Sequence, residues 1–461
     1  MSNRTLFLLL FAALLAARLC HTGILWAEES LPLAVAQQVE RGQVIYRDLW
    51  FDKPPLLSLV CLLWGARDGW ILRLAGTLYS LLACAIAWMF ARDLWGEREG
   101  RIAAALLGFF FIFDIPASVT PLAADPLMLA PHLAAVWLAH RRRAFGSGVC
   151  AGIAFLINAK GAIAATVCVI WFPAGIVLFA AGFAAVNGVA LGWLWWAGAL
   201  GAYYQQVWQW GRVYAAVTFL ADPVRNGAVR TLNWAGFHGA LVAGAAMALR
   251  DRKLRVQWVA WLALSFGAVA LGWRFFPRYF FQILPALVLL GARGLAVMPA
   301  RYARVAALLL LIPLVRFGPR YVLLAAGQSM QWADTAMDRD SHAAARLTKQ
   351  LARPGDSLFV WGFRPDIYVY AGLPSGARFL DSQPLTGVPA DRHLTQSAPV
   401  APELAAAHRA ELIRAAPTFV IDGLGPYNPN LAITRYPDLK QWLAQYREAG
   451  RSAQTIVYRR E

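Results

Sequence analysis

Residues 6–26 read LFLLLFAALLAARLCHTGILW, and residues 27–57 continue as AEESLPLAVAQQVERGQVIYRDLWFDKPPLL. The first stretch is an apolar run long enough to cross roughly 30 Å of hydrocarbon, preceded by a lone Arg4. It is longer than a signal-peptide core and has no clear small-residue cleavage site, so it reads as a retained first span. The second stretch opens on two acids, Glu28 and Glu29, and ends on Lys53 followed by two prolines. An apolar helix that hands over to a charged loop points to a polytopic α-helical membrane protein.

Working outward, apolar runs recur to Leu324 and then stop. About eleven spans are expected, near 6–26, 71–91, 102–120, 127–139, 145–159, 162–180, 183–204, 236–249, 256–272, 279–297 and 303–324. Of the 461 residues, 59% are hydrophobic and only 15% charged, far from the usual soluble mixture. The net charge of +17 concentrates in the loops between apolar runs, which reads as membrane topology and not as a nucleic-acid surface. Cys20, Cys61, Cys84, Cys150 and Cys168 all lie in or beside apolar segments, so neither a disulfide framework nor a zinc spacing is offered.

Four connections are conspicuously basic: Arg92 to Arg101, His140 to Arg143, Arg250 to Arg255 and Arg301 to Arg304. The positive-inside rule puts them, and the N-terminus, in the cytoplasm of a plasma (inner) membrane protein. The loop 27–69, the turn around Asp125, the segment 205–234, the segment 274–278 and the tail then face outward.

In the first external loop, Leu31, Val35 and Val39 recur every four residues with Gln37, Gln38, Glu40 and Arg41 on other faces. That spacing predicts an amphipathic helix lying on the membrane. The dozen residues from Pro54 to Gly65 are too short to span and predict a second juxtamembrane helix. A membrane domain over 1–326 and a soluble extracytoplasmic α/β domain over 327–461 are expected. In the tail, helices are predicted at His342 to Leu351, Glu403 to Ala415 and Pro437 to Glu448. Strands are predicted at Ser357 to Trp361, Thr418 to Asp422 and Ala453 to Arg459.

Several charged residues stand out against this apolar background. Asp125, in TPLAADPLMLAP, is an isolated carboxylate at a turn; a helix N-cap is the simple structural explanation. Lys160, in LINAKGAIAA, sits where an unpaired ammonium is costly, so an anionic partner is expected. Lys53 precedes Pro54 and Pro55, which hold the chain extended, and is suited either to a lipid phosphate or to snorkelling. Arg274, Arg278 and Tyr279, in WRFFPRYFFQILP, form either a phosphate or sugar grip or an aromatic-basic belt. Asp114, in FFFIFDIP, is a further acid and ranks below Asp125. Glu28 and Glu29 read equally well as an interfacial charge pair or as reactive carboxylates.

The ordered set AEES, RGQVIYRDLWFDKPP, AADPLM and NAKG, with weaker support from RFFPRYFFQILPAL, resembles the GT-C membrane glycosyltransferases. The likeness is to the glycosyltransferase family 39-like group that contains the protein O-mannosyltransferases and the lipid A aminoarabinose transferase. Members carry an acidic pair after the first span, typically Asp-Glu; here it is Glu28-Glu29, one methylene longer at the first position. The resemblance implies a GT-C fold and inverting transfer of a sugar from a polyprenyl-phosphate donor to a glycan, lipid or protein acceptor. It implies Glu28 or Glu29 as the base, Asp125 as a second active-site carboxylate, and Lys53, Lys160, Arg274, Arg278 and Tyr279 around the donor phosphate. No cofactor is implied, and no His/Cys cluster suggests a metal.

A transporter or flippase of a lipid-linked sugar shares the hydropathy profile, but internal repeats, which such folds often carry, are not visible. A non-catalytic assembly protein is the remaining reading.

Overall fold

The computed structural model describes residues 2–216, 221–252, 255–328, 332–389, 391 and 398–461. The chain divides into two compact units. The first comprises Met1–Thr22, Gly69–Gly192 and Leu220–Gln328; the second comprises Gly23–Asp68, Trp193–Phe219 and Ser329–Glu461.

The first unit is helical. Among the described residues, four helices, Gly69–Trp95, Pro173–Trp196, Arg255–Trp273 and Ala300–Ala325, are long and apolar enough to cross a membrane, and shorter apolar helices accompany them. Val177, Val189, Val315 and Val322 on these helices are each at least 70% exposed, an apolar surface of the kind that lipid covers. Inside, Phe90, Leu107, Phe110, Leu133 and Trp261 form the core.

Close approach between helices depends on missing side chains. A Cβ on Gly294 would meet the Gly244 carbonyl oxygen at 1.7 Å, so the Gly239–Ala248 and Leu284–Val297 helices pack backbone to backbone.

Helix ends depart from expectation where proline intervenes. The expected spans 162–180 and 183–204 are instead Gly161–Trp171 and Ile176–Trp196. Pro173, without an N–H, ends the first of them early. The expected span from 279 begins only at Leu284, because Pro277–Gln282 forms a 3-10 turn.

The second unit is built around a four-stranded mixed sheet of order β1-β2-β4-β3, with β1 Leu358–Trp361, β2 Phe419–Asp422, β3 Tyr446–Arg451 and β4 Ile456–Arg460. β1 and β2 are parallel and fully buried; β4 runs antiparallel to β2 and to β3. The helix expected over Pro437 to Glu448 stops at Leu443, because residues from Tyr446 onward pair with β4 as an edge strand. Beneath the sheet, Arg364 and Asp340 form an ion pair of 2.7 Å, each side chain 2% exposed or less. Arg364 also donates to Ser341 Oγ and the Met337 carbonyl.

The loop 23–68 is stitched to the tail within this unit. Leu25 N–H donates to Asp338, and Trp26 Nε1–H to Asp334. The Ala27–Glu40 helix packs on the helix Asp366–Ala371. Leu31 to Ala36 are all buried, and Gln38, fully buried, bonds the Leu373 carbonyl and the Ser375 N–H. This corrects the expectation of a helix lying on the membrane: its apolar face meets protein, and Gln38 belongs to the interior. The second short segment is a turn of helix, Leu56–Leu59, followed by a 3-10 turn, Val60–Trp64, too short to cross a bilayer.

Candidate active site

In the first unit, Asp125 lies in the first turn of the helix Ala124–His140. The N-cap position belongs to Ala123, and no side chain caps it, so the simple N-cap explanation of Asp125 does not hold. Pro126 beside it needs no hydrogen-bond acceptor this early in a helix. One turn on, Pro131 cannot donate to the Leu127 carbonyl, and the Tyr79 hydroxyl takes over that bond while accepting from the Ala130 N–H. Arg18, buried at the end of the first helix, holds the preceding turn by donating to the carbonyls of Thr120 (2.8 Å) and Val119 (3.1 Å) and to Ser80 Oγ. Asp125 is thereby carried on a fixed segment.

Its carboxylate is 4% exposed. Oδ1 accepts from Asn158 Nδ2 at 3.1 Å and from Gln282 Nε2 at 2.9 Å, and Lys160 Nζ stands 3.5 Å away. Asn158 also accepts from the Lys160 backbone N–H through Oδ1, so one side chain fixes both members of the ion pair. The ammonium of Lys160 is 3.2 Å from the centroid of the Tyr279 ring and has no hydrogen-bond partner among the described residues. Arg278 lies against the rings of Phe276 and Tyr279, and Arg274 is buried. The chain leading to them is strained: Trp273 and Phe275 both hold left-handed φ values, 55° and 47°. Asp125, Lys160 and Tyr279 therefore come together as one cluster, with Arg278 at its edge. Asp114 takes a different partner, His238 Nε2 at 3.3 Å.

Asn158 and Gln282 were not among the residues singled out from sequence. Each is a lone amide within an apolar stretch, Asn158 in LINAKG and Gln282 in RYFFQILP, which was the available signal.

In the second unit, Glu28 and Glu29 occupy the first turn of the Ala27–Glu40 helix. Glu29 is 2% exposed and reaches back to accept from the Trp26 N–H at 3.4 Å, the return half of a capping box. Glu28 is only half-buried. Pro32 has no N–H for the Glu28 carbonyl, so the helix makes no bond between them.

Lys53 pairs with Asp52 at 2.7 Å and stands 5.7 Å from the Tyr214 ring. Its loop is held firmly: Tyr46, fully buried, donates to the Lys53 carbonyl, while Gln206 bonds both the Tyr46 carbonyl and the Phe51 N–H. Gln206 is delivered by a π-helical turn, Tyr204–Gln209. Asp52 also lines a small pocket with Asp381, Gln383, Trp50 and Trp210. Burial, reinforced by the neighbouring Asp391 and Asp52, pushes the Asp381 carboxyl up to about 8, against a bond from the Gln383 N–H that favours its charged form.

No protein-family model matches the sequence, and no curated protein does. Solved structures do resemble the chain. ArnT from Cupriavidus metallidurans bound to undecaprenyl phosphate superposes with a TM-score of 0.61 at 14% identity, covering 98% of this chain and 97% of that one. The Archaeoglobus fulgidus oligosaccharyltransferase gives 0.51 at 13% identity, covering 96% and 72%. The mycobacterial arabinofuranosyltransferase AftD gives 0.52 at 17% identity, covering 100% of this chain and 40% of that one. At such identities the likeness concerns the backbone, and it agrees with the helical unit and small terminal sheet described above. The chain has the GT-C fold.

Proposed function

We propose that the protein transfers a sugar from a polyprenyl-phosphate donor to an acceptor hydroxyl or amine at the outer face of a plasma membrane. The carrying observation is the buried Asp125–Lys160 pair, clamped by Asn158 and Gln282 and faced by Tyr279, in a chain of GT-C fold. The neighbour AftD is an arabinofuranosyltransferase, which supports sugar transfer here. The neighbour ArnT binds undecaprenyl phosphate, which supports a lipid phosphate as the carrier.

In this reading Glu28 takes the proton from the acceptor, whose heteroatom attacks the anomeric carbon. The bond from that carbon to the phosphate oxygen breaks, polyprenyl phosphate departs, and the configuration inverts. Lys160, with Arg274 and Arg278, offsets the charge that develops on the leaving phosphate. Glu28 is favoured over Glu29 as the base because Glu29 is buried and engaged with the Trp26 N–H. Asp125 orients Lys160.

The proposed topology has about eleven spans, with the N-terminus cytoplasmic and residues 327–461 outside. A cysteine introduced at Ser452 should then react with an impermeant thiol reagent from the outer side only; labelling from the cytoplasmic side alone would overturn that orientation.

The function is tested by mass spectrometry of glycolipids and glycans in cells lacking the protein and complemented with single variants. Glu28→Ala and Asp125→Ala are expected to leave the sugar missing, and Glu29→Ala to restore it in part. Full restoration by all three variants would remove the mechanism.

A further inference from the structure

Two buried polar atoms of the Asp125 cluster have no hydrogen-bond partner among the described residues: Lys160 Nζ and Gln282 Oε1. The orientation of the Gln282 amide is fixed by chemistry. A carboxylate only accepts, so the amide nitrogen must face Asp125 Oδ1, at 2.9 Å, and Oε1 turns to the other side. The Gln282 side chain is 0% exposed, and a buried amide oxygen without a donor is costly. Lys160 presents three N–H donors, yet its nearest carboxylate oxygen is 3.5 Å away and a ring covers one face.

A ligand that satisfies both atoms needs an anionic oxygen for the ammonium and an O–H or N–H for the amide oxygen. A phosphodiester group by itself supplies the first and lacks the second. A sugar phosphate supplies both, because the carbon that bears the phosphate is bonded to one that bears a hydroxyl.

Building on the sugar-transfer reading, we propose that Gln282 reads the donor sugar. Its Oε1 accepts from the hydroxyl adjacent to the phosphate-bearing carbon while Lys160 Nζ holds a phosphate oxygen. The Tyr279 ring, which is partly exposed, withdraws from the ammonium as the phosphate arrives. Gln282 is then a specificity-determining residue as well as a clamp on Asp125.

The test uses the full-length purified protein in nanodiscs and compares binding of undecaprenyl phosphate with binding of undecaprenyl-phosphoryl glucose, mannose and arabinose. The 2-deoxy form of the best binder completes the set. The wild type should prefer at least one sugar-bearing probe and lose roughly fivefold on 2-deoxygenation, the worth of one neutral hydrogen bond. Gln282→Met, with its own affinities for the sugar-bearing and 2-deoxy probes compared, should erase that fivefold difference. Asn158→Ala, which loosens the same carboxylate but leaves Gln282 Oε1 in place, should keep the difference.

Retention of the full preference in Gln282→Met overturns the inference, as does its equal loss in Asn158→Ala or the absence of any sugar preference in the wild type. If Gln282→Met does not fold, Gln282→Asn, with both amide atoms drawn back by one methylene, should show the reduced preference instead. Failure of the underlying reading looks different: Lys160→Met would then bind undecaprenyl phosphate as tightly as the wild type.

Discussion

The two units handle charge in opposite ways. In the helical unit, buried Arg18 and Arg73 direct donors at backbone carbonyls, whereas Asp125 and Lys160 face each other with Lys160 Nζ lacking a hydrogen-bond partner among the described residues. In the second unit, buried charges and amides are many and form a mesh: Arg364 with Asp340, Gln38 with the Leu373 and Ser375 backbone, Asp338 with Leu25. A buried charge in the first unit whose hydrogen bonds are not met within the protein, as at Lys160, therefore marks a place where chemistry or a ligand is to be sought. A buried charge in the second is, by default, part of what holds the tail together or joins the loop 23–68 to it.

The sharpest way to break that contrast is to neutralise one member of each kind of pair. Asp125→Asn should lower glycan formation by at least about a hundredfold, the scale for losing one preorganised charged group at a reacting centre. The same variant should leave the unfolding temperature of the second unit unchanged. Arg364→Met, by contrast, strands Asp340 in the interior and should cost about 3–5 kcal/mol in stability, visible as a lowered melting transition. If Arg364→Met abolished transfer without moving that transition, the division of roles between the units would be wrong.

Gln38→Ala tests the same mesh at smaller scale. It leaves the Ser375 N–H without its partner and should destabilise by about 1–3 kcal/mol in a thermal melt. A neutral result would restore the idea that the Ala27–Glu40 helix is held by something other than the tail.

A further test is one of pH. With its carboxyl raised from 3.8 to about 8, Asp381 in the folded chain holds a proton that the unfolded chain has already released across that range. Stability contributed by this group is fully present below about pH 4 and is lost as pH rises through about 8. Asp422, raised to about 6 by burial, acts in the same sense over a narrower window. Asp381→Asn should therefore melt at a higher temperature than the wild type at pH 8 and show a flatter profile between pH 5 and 8. An unchanged slope would place Asp381 in contact with solvent or with a cation.

The contrast also explains what the sequence could disclose. Asp125 and Lys160 were visible because each is a lone charge among apolar residues, where few placements are tolerable. Their clamps, Asn158 and Gln282, were not, because one amide in an apolar stretch looks the same whether it ends a helix or holds a carboxylate. The amphipathic spacing of Leu31, Val35 and Val39 correctly announced a helix. Periodicity, however, cannot say whether an apolar face meets lipid or protein, and Gln38 turned out to face inward. β3 was hidden for a related reason: Tyr446 to Arg451 is largely polar, and only its pairing with β4 makes it a strand.

Whether the protein cleaves its lipid donor or merely carries it is the question on which everything above depends. The direct measurement is reconstitution of the purified chain in sealed vesicles with sugar-labelled undecaprenyl-phosphoryl donors and an envelope acceptor fraction outside, followed by separation of donor, free carrier and labelled acceptor. We predict that one donor yields undecaprenyl phosphate and labelled acceptor in equal amounts, and that Glu28→Gln yields neither. Movement of intact donor between leaflets, with no carrier released by any donor in the presence of acceptor, would contradict a sugar transferase and favour a flippase.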